Sequence, residues 1–366
     1  MTGRAILLAD RFRMEYRILK AVSLYFNDIH IIGTGDGAWL KHSRHCRAFH
    51  ELGKPFALAG PGEADAIDHY AKEHQIACIL PTCGHTTRFL ASYSERFETP
   101  CFPIPATDAF DRLNNKLTFH QLCLDLDLPT PDTRIFETWS ELRAAASTGA
   151  LSYPFIVKPP SLDGSWGVRR INGPEDLCGQ VDYSPILAQY FIPGRDLCVF
   201  YLCERGNIVG QVAYTFARYG IRFVQRPRVD AFSRAIAAHL ALDGVIGFDL
   251  RERADGQVFF IESNPRFWFR MDVAALAGLD FIRAALTKEP LRQGPPDGLE
   301  LRNRGRLLKA AVLPWRLNWL ERRVIREFAR DPLLPFLELL GKTRSAGPVV
   351  PKDRTIVTIP ANVTPY

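Results

Sequence analysis

The chain has 366 residues, 47% hydrophobic and 23% charged, enough for two or three domains around a sizeable core. No apolar run approaches the ~20 residues of a membrane-spanning helix, and the opening MTGRAILLADRF is too short and too soon charged for a secretory signal, so it reads as a first strand. The net charge of +6 is unevenly placed: residues 302–344 hold eleven Lys/Arg and four Asp/Glu, a net of +7, which leaves the remainder about neutral; no nucleic-acid partner is expected.

The first hundred residues alternate strand and helix. Strands are expected at 5–9, 29–33, 76–80 and 101–104, with helical patterns at 14–26, around 64–74 and at 86–97. Such alternation over short connections argues for a parallel α/β sheet. The turn after the first strand, ADRFRM, has no glycine, and the later Gly33-Thr-Gly35-Asp-Gly37 lacks the dinucleotide fingerprint, so nicotinamide or flavin chemistry is not indicated. None of the eight cysteines forms a Cys-x-x-Cys pair, so neither zinc nor redox use is signalled; a cytoplasmic protein with reduced thiols is expected.

Beyond residue 106 the pattern changes. A helix starting at Asn114 or Asn115 runs to Asp127 and is broken by LPTPDT. YPFIVKPP (153–160) and GVRRI read as strands around a small-residue turn at 161–167. PILAQYFIPG and DLCVFYLCERGNIVGQVAYTFA read as antiparallel strands, residues 230–242 as a helix, and 245–264 as a hairpin.

That hairpin is the most informative element. GVIGFDLRER and QVFFIESNP flank Asp255-Gly256, the pair that favours a two-residue type I′ turn. With Ala254 facing Gln257, the register puts Asp249 opposite Glu262, and Asn264 projects from the same face. Facing carboxylates repel, and their neighbours Phe248, Leu250, Phe259 and Ile261 are apolar. Either a divalent cation sits between the acids, or they pair with Arg251 or Arg253 at a solvated face. Lys158, at the end of an apolar strand and followed by Gly164, Ser165 and Gly167, has the makings of a phosphate clamp: an ammonium that needs a partner, then backbone N–H groups that can approach an anion.

Taken in order, these pieces resemble the ATP-grasp superfamily. Asn115-Lys116 with its following helix, FIVKPPSLDGSWGV, AQYFIPGRDLCV and FDL…FIESNPR stand in that superfamily's usual sequence, and the spacing of Asp249, Glu262 and Asn264 is similar to that of D-alanine–D-alanine ligase. The resemblance covers about residues 1–290. It implies a mixed α/β and α+β architecture: an N-terminal parallel α/β domain (1–105), a small lobe with the phosphate loop (106–188), a large lobe with the metal site (189–290), and a basic helical extension with an extended tail (291–366). It further implies ATP and Mg2+ (or Mn2+) as cofactors, and ligation of a small-molecule carboxylate to an amine. Lys116 and Lys158 would contact α/β-phosphates, with Gly164, Ser165 and Gly167 as a lid. Gln189, Tyr190 and Ile192 would line the adenine pocket and Asp196 the ribose. Asp249, Glu262 and Asn264 would hold the metal, and Arg266 would stabilise the transferring phosphoryl group and the anionic intermediate. Trp166 stands where that loop is usually small, and Gln189 or Tyr190 where the hinge is usually acidic.

Further residues weigh more evenly. Arg222 and Arg226, in a string with Arg218 and Arg228, either meet phosphate or an acidic substrate or lie on a solvated loop. Arg44 is taken as a substrate contact beyond a strand's carboxyl end, while His42 and His85 read as loop or cap residues. Trp268 packs, or lines an acceptor pocket. In 302–344, Leu317, Leu320, Val324 and Phe328 fall at helical spacing with arginines opposite, a pattern that suits packing on the body, a homodimer contact or an anionic membrane surface. Against the ligase stands one reading from another class: a nucleotide-binding module without catalysis, membrane-associated through this basic segment.

Overall fold

In the computed structural model, which describes residues 3–161, 166–291 and 294–339, the strands fall into three sheets. The first is parallel, built from β1 (Arg4–Ala9), β2 (Asp28–Gly33), β3 (Cys46–Glu51) and β4 (Ile76–Leu80) in the order β3-β2-β1-β4. Its central strands are continuous apolar runs because both faces are covered. Leu7, Ala9 and Ile31 meet the helix Phe12–Val22, while Ile6, Leu8 and Ile32 meet the helices Pro61–Glu73 and Gly84–Ser92. β3 was not foreseen: as an edge strand with no fully buried residue it carries no apolar run to announce it. The strand expected at 101–104 reduces to one parallel bridge, Ile79 to Cys101, since Pro100 and Pro103 have no N–H to give a ladder.

The second sheet is antiparallel, with β5 (Thr133–Phe136), β6 (Phe155–Lys158), β7 (Arg169–Ile171) and β8 (Ile186–Tyr190) in the order β5-β8-β6-β7. The third has β9 (Arg195–Glu204), β10 (Asn207–Ala217), β11 (Gly220–Phe223), β12 (Gly244–Glu252), β13 (Val258–Asn264) and β14 (Glu300–Arg302) in the order β13-β12-β9-β10-β11-β14. β14 thus joins the third sheet from beyond residue 290, within the segment expected to be a separate extension.

Opposite faces of the third sheet bury different partners. On one, Tyr201, Phe248 and Phe260 pack against Leu113, Phe119 and Leu122, with the Phe119 and Phe248 rings stacked at 5.8 Å. The helices Thr107–Asn114 and Lys116–Asp125, expected in the small lobe, therefore share the large lobe's core. On the other face, Phe200 stacks on Trp268 at 4.6 Å, among Tyr214, Phe267 and Phe281. Trp268 is buried packing there. Each aromatic pair of this kind adds roughly 0.5–1.5 kcal/mol beyond area burial.

The helix Trp319–Arg330 lays Leu320 and Val324 on this second face, joined by Leu317. Its start is closed by a capping box: Asn318 accepts from the Glu321 N–H at 2.9 Å and Glu321 accepts from the Asn318 N–H at 3.1 Å. No helix among the described residues is long and apolar enough to cross a membrane.

Candidate active site

The β12–β13 hairpin turns through three residues, Ala254 to Gly256, not two. Arg253 N–H donates to the Gln257 carbonyl at 2.8 Å and Gly256 N–H to the Arg253 carbonyl at 3.0 Å. A type I′ turn needs positive φ at both central residues, and here Gly256 alone has it, at +81°. The slip of one residue is then reversed by a bulge: Leu250 pairs with Phe260 but Asp249 pairs with Glu262, leaving Ile261 unpaired. Asp249 and Glu262 therefore face each other, and Asn264 lies on the same side, donating from Nδ2 to Asp249 Oδ2 at 3.1 Å.

The bulge has a second effect. Its carbonyl, that of Ile261, accepts from Lys158 Nζ at 3.2 Å, while Gln189 Oε1 accepts from the same nitrogen at 2.8 Å. Gln189 is in turn held by Thr133, its Nε2 donating to Thr133 Oγ1 at 2.9 Å. Lys158 is buried, bound to neutral oxygens, and desolvation drops its ammonium to about 8, opposed by the Glu262 charge and assisted by Lys116. Gln189, expected in the adenine pocket, is here the strut that aims Lys158.

Lys116 approaches the same acids from the large-lobe core. Asn115 caps its helix, Oδ1 accepting from Leu117 and Thr118 N–H at 2.9 and 3.3 Å, and Lys116 Nζ stands 3.4 Å from Glu262 Oε2. Burial alone would raise Glu262, but the charges of Lys116, Lys158 and Arg266 outweigh it and hold its carboxyl below the usual range. Asp249 goes the other way: burial, then the Glu262 charge, pushes it up to about 7. Behind it stands Cys198, its partner across β9 and β12, whose thiol hydrogen-bonds the carboxylate. Cys198 escaped sequence reasoning; counting the register one strand further, to β9, would have found it.

Arg266 closes the row. Its Nη2 donates to Asn264 Oδ1 at 2.8 Å and its Nη1 to Met14 Sδ at 3.5 Å, and a Cβ added at Gly84 would sit 3.7 Å from its Cδ. The arginine thus stands between Asn264 and the N-terminal helices Phe12–Val22 and Gly84–Ser92. Asp196 lies on the same face as Asp249, and Arg251 binds it at 2.6 Å while donating to the carbonyls of Ile192 and Gly194 at 3.1 and 2.8 Å. Arg251 is therefore committed to the β8–β9 connection and not to the facing acids. Tyr190 is exposed and Ile192 buried at that connection. Gly167 has φ +72° and its carbonyl accepts from Tyr183 Oη at 2.6 Å; Gly164 and Ser165 lie outside the described residues.

Three expected substrate contacts are elsewhere. Arg44 precedes β3, so it stands at a strand's amino end, donating from Nη1 to the Arg330 carbonyl at 2.8 Å. The unforeseen β3 reverses the polarity assumed for it. Arg222 pairs across β11 with Thr215, and Thr215 with Leu197, whereas the Asp249 row continues through Cys198 and Tyr214 to Phe223. The pleat therefore sends Arg222 to the opposite face, where Glu300 binds it at 2.5 Å. Arg226 binds Glu252 at 3.0 Å on that opposite face as well.

Comparison with known proteins gives the same frame. A family model described as "ATP-grasp in the biosynthetic pathway with Ter operon" matches residues 182–301. The formate-dependent phosphoribosylglycinamide formyltransferase of Mycolicibacterium smegmatis is 25% identical over 168 residues, 38% of this chain and 41% of that protein, so the match spans about two fifths of that relative's length. The biotin carboxylase domain of Hydrogenobacter thermophilus 2-oxoglutarate carboxylase, solved with MgADP and bicarbonate, superposes with TM-score 0.58 at 15% identity over 81% of this chain and 72% of that one. An L-amino acid ligase from Bacillus licheniformis gives TM-score 0.57 at 17% identity over 80% and 76%. The chain carries the ATP-grasp fold and resembles the ATP-dependent carboxylate–amine ligases that share it.

Proposed function

We propose that this protein is a cytoplasmic ATP- and Mg2+-dependent ligase that activates a carboxylate as an acyl phosphate and couples it to an amine. The observation that carries the reading is electrostatic: two carboxylates face each other on β12 and β13, flanked by buried Lys116 and Lys158, with Arg266 at the end of the row. Two acids and an amide oxygen are a donor set suited to Mg2+, and two ammonium groups suit the phosphates that Mg2+ brings with it. Asp249, Glu262 and Asn264 would hold the metal, Lys116 and Lys158 the phosphates, and Asp196 the ribose. Bound Mg-ATP supplies the phosphoryl group.

The chain's own residues then have distinct work. Arg266 is placed to neutralise charge developing between the acids and the N-terminal sheet. Lys158, fixed by Gln189 and the Ile261 carbonyl, has little freedom to lose when an anion arrives. We assign residues 1–105 as an N-terminal domain, 106–188 as a small lobe apart from its first two helices, which share the core of the large lobe at 189–290, and 291–366 as an extension that, in its described part to residue 339, gives β14 to that lobe's sheet and packs on the body.

The test is ADP and phosphate release over pooled carboxylates and amines, with product masses. Release that needs both a carboxylate and an amine, and a product whose mass is the sum of the two less one water, supports the ligase. Tight Mg-ATP binding with no turnover in any pool would leave a silent nucleotide-binding module.

A further inference from the structure

At the carboxyl ends of β1 and β4, beside Arg266, lies a second cluster that the ligase chemistry does not use. Asp10, Cys83 and His85 each point one donor atom to a common place, and the three atoms all lie within 4.8 Å of one another. His85 Nδ1 is 3.3 Å from Asp10 Oδ2. Ligand atoms held at about 2.0–2.3 Å around one tetrahedral zinc ion stand roughly 3.3–3.8 Å apart, so this spacing needs only a small contraction.

The surroundings are arranged like a metal site's supports. Asp10 Oδ1 accepts from the Phe56 N–H at 3.1 Å, which fixes that carboxylate and leaves Oδ2 facing His85. Thr86 Oγ1 reaches the Cys83 sulfur at 3.7 Å, and it also accepts from the Thr82 and Cys83 N–H groups, so the loop carrying Cys83 has a set shape. Cys83 opens the helix Gly84–Ser92, and burial, then the charges of Glu15 and Asp10, push its thiol up to about 12, so a bound cation is what would make it a thiolate.

An independent observation is the carboxylate behind the cluster. Glu15 is fully buried; its Oε1 accepts from the Asp10 N–H at 2.9 Å, and its Oε2 has no hydrogen-bond partner. Thr82 lies alongside, but its one hydroxyl proton goes to the Leu8 carbonyl at 2.6 Å. A buried oxygen left without a partner costs on the order of 1–3 kcal/mol or more.

We propose that Asp10, Cys83 and His85 bind a zinc-class divalent cation, whose charge the Asp10 carboxylate and the Cys83 thiolate balance. A thiolate with an imidazole and a carboxylate selects zinc or a similar transition ion, whereas Mg2+ prefers the all-oxygen set of Asp249, Glu262 and Asn264. The two metal sites are then distinct in chemistry and joined through Arg266. One tethers the N-terminal sheet where it meets the phosphoryl-transfer row.

The test uses the full chain, freed of metal by a chelator, without nucleotide, in millimolar Mg2+. Zinc is titrated against a fluorescent competitor, and cobalt(II) is added separately to look for a thiolate-to-cobalt charge-transfer band in the near ultraviolet. The proposal expects one zinc equivalent, a cobalt band lost in Cys83→Ser, and zinc affinity at least about tenfold weaker in Cys83→Ser and in His85→Gln. His85 is one-third exposed, so His85→Gln carries the test if Cys83→Ser does not fold. Glu262→Gln, which damages the Mg2+ set, is expected to bind zinc as the unaltered protein does, so failure here is separable from failure of the ligase reading. No zinc binding in the unaltered chain, or unaltered affinity in folded His85→Gln, overturns the proposal.

Discussion

Two buried lysine–carboxylate clusters stand in this molecule, and they are built to opposite ends. In the first, Lys20 Nζ meets Asp272 Oδ2 at 2.7 Å, Arg17 adds a second cation at 3.6 Å, and Asp272 Oδ1 accepts from the Val273 N–H at 2.9 Å. The Lys20 ammonium also lies over the rings of Tyr16 and Phe328, at 5.4 and 5.2 Å. The cluster is closed: each charge has a partner within the chain, and it joins the first helix to the segment after β13 and to the helix Trp319–Arg330. In the second, Lys158 rests on an amide and a carbonyl, and Asp249 faces another acid. On the proposed function, those charges would be completed by a ligand from outside the chain. The first cluster spends its electrostatics on cohesion, and on that reading the second would hold them in reserve for a ligand.

That difference is broken most sharply in the second cluster. Glu262→Gln or Lys158→Ala is expected to lower ATP turnover by at least about 10²–10³-fold, read as ADP release, while far-ultraviolet circular dichroism stays native. Near-native ADP release in either variant would remove it from the mechanism. The same change in the first cluster acts on folding instead. Asp272→Asn leaves Lys20 buried without its carboxylate and is expected to cost about 3–5 kcal/mol in urea denaturation. The pH dependence follows in sign. Burial raises Asp272, but Lys20 and Arg17 outweigh it, so its folded pKa lies below the unfolded value. Its contribution is thus fully present above about pH 4 and lost as pH falls through the lower folded value. Asp272→Asn should flatten that acid limb of a stability-against-pH curve.

Asp249→Asn tests the reserve directly. It removes one of two facing charges, so without ligand the variant is expected to be as stable as the original or more so, by about 0.2–1 kcal/mol. Saturating Mg-ATP should stabilise the original chain by roughly 2.7 kcal/mol at a hundred times Kd and the variant far less, read as thermal shifts. A variant less stable without ligand but equally stabilised by Mg-ATP would mean that the row holds structure and not metal.

The sequence made the facing acids legible, but partly through two offsetting departures. The turn is one residue longer than Asp255-Gly256 suggested, and the bulge at Ile261 restores the register, so Asp249 meets Glu262 as expected. A bulge leaves no mark in an apolar run such as VFFI. Lys158 was legible because an ammonium ending an apolar strand is expensive; its partner Gln189 was not, since the pairing of β6 with β8 spans thirty-one residues. Arg44 was misplaced because an edge strand of mixed residues hid the polarity of its segment. The Asp10–Cys83–His85 cluster was invisible: Cys-Gly-His alone has no ligand spacing, and Asp10 arrives only when β1 and β4 pair.

Arg222 offers the smallest effect and the cleanest contrast with Lys158. Both are cations at strand ends, and both were candidates for an anionic ligand. The Arg222 guanidinium is half exposed and bound to an equally exposed Glu300, so solvent screens the pair. Arg222→Ala is expected to cost no more than about 1 kcal/mol in urea denaturation and to leave ADP release unchanged. The pleat gives the reason, since residue 223, not 222, shares the face of Asp249. A loss of turnover in Arg222→Ala without a matching loss of stability would mean that the opposite face of the third sheet takes part in binding, and the distinction between closed and reserved charge would have to be redrawn to include it.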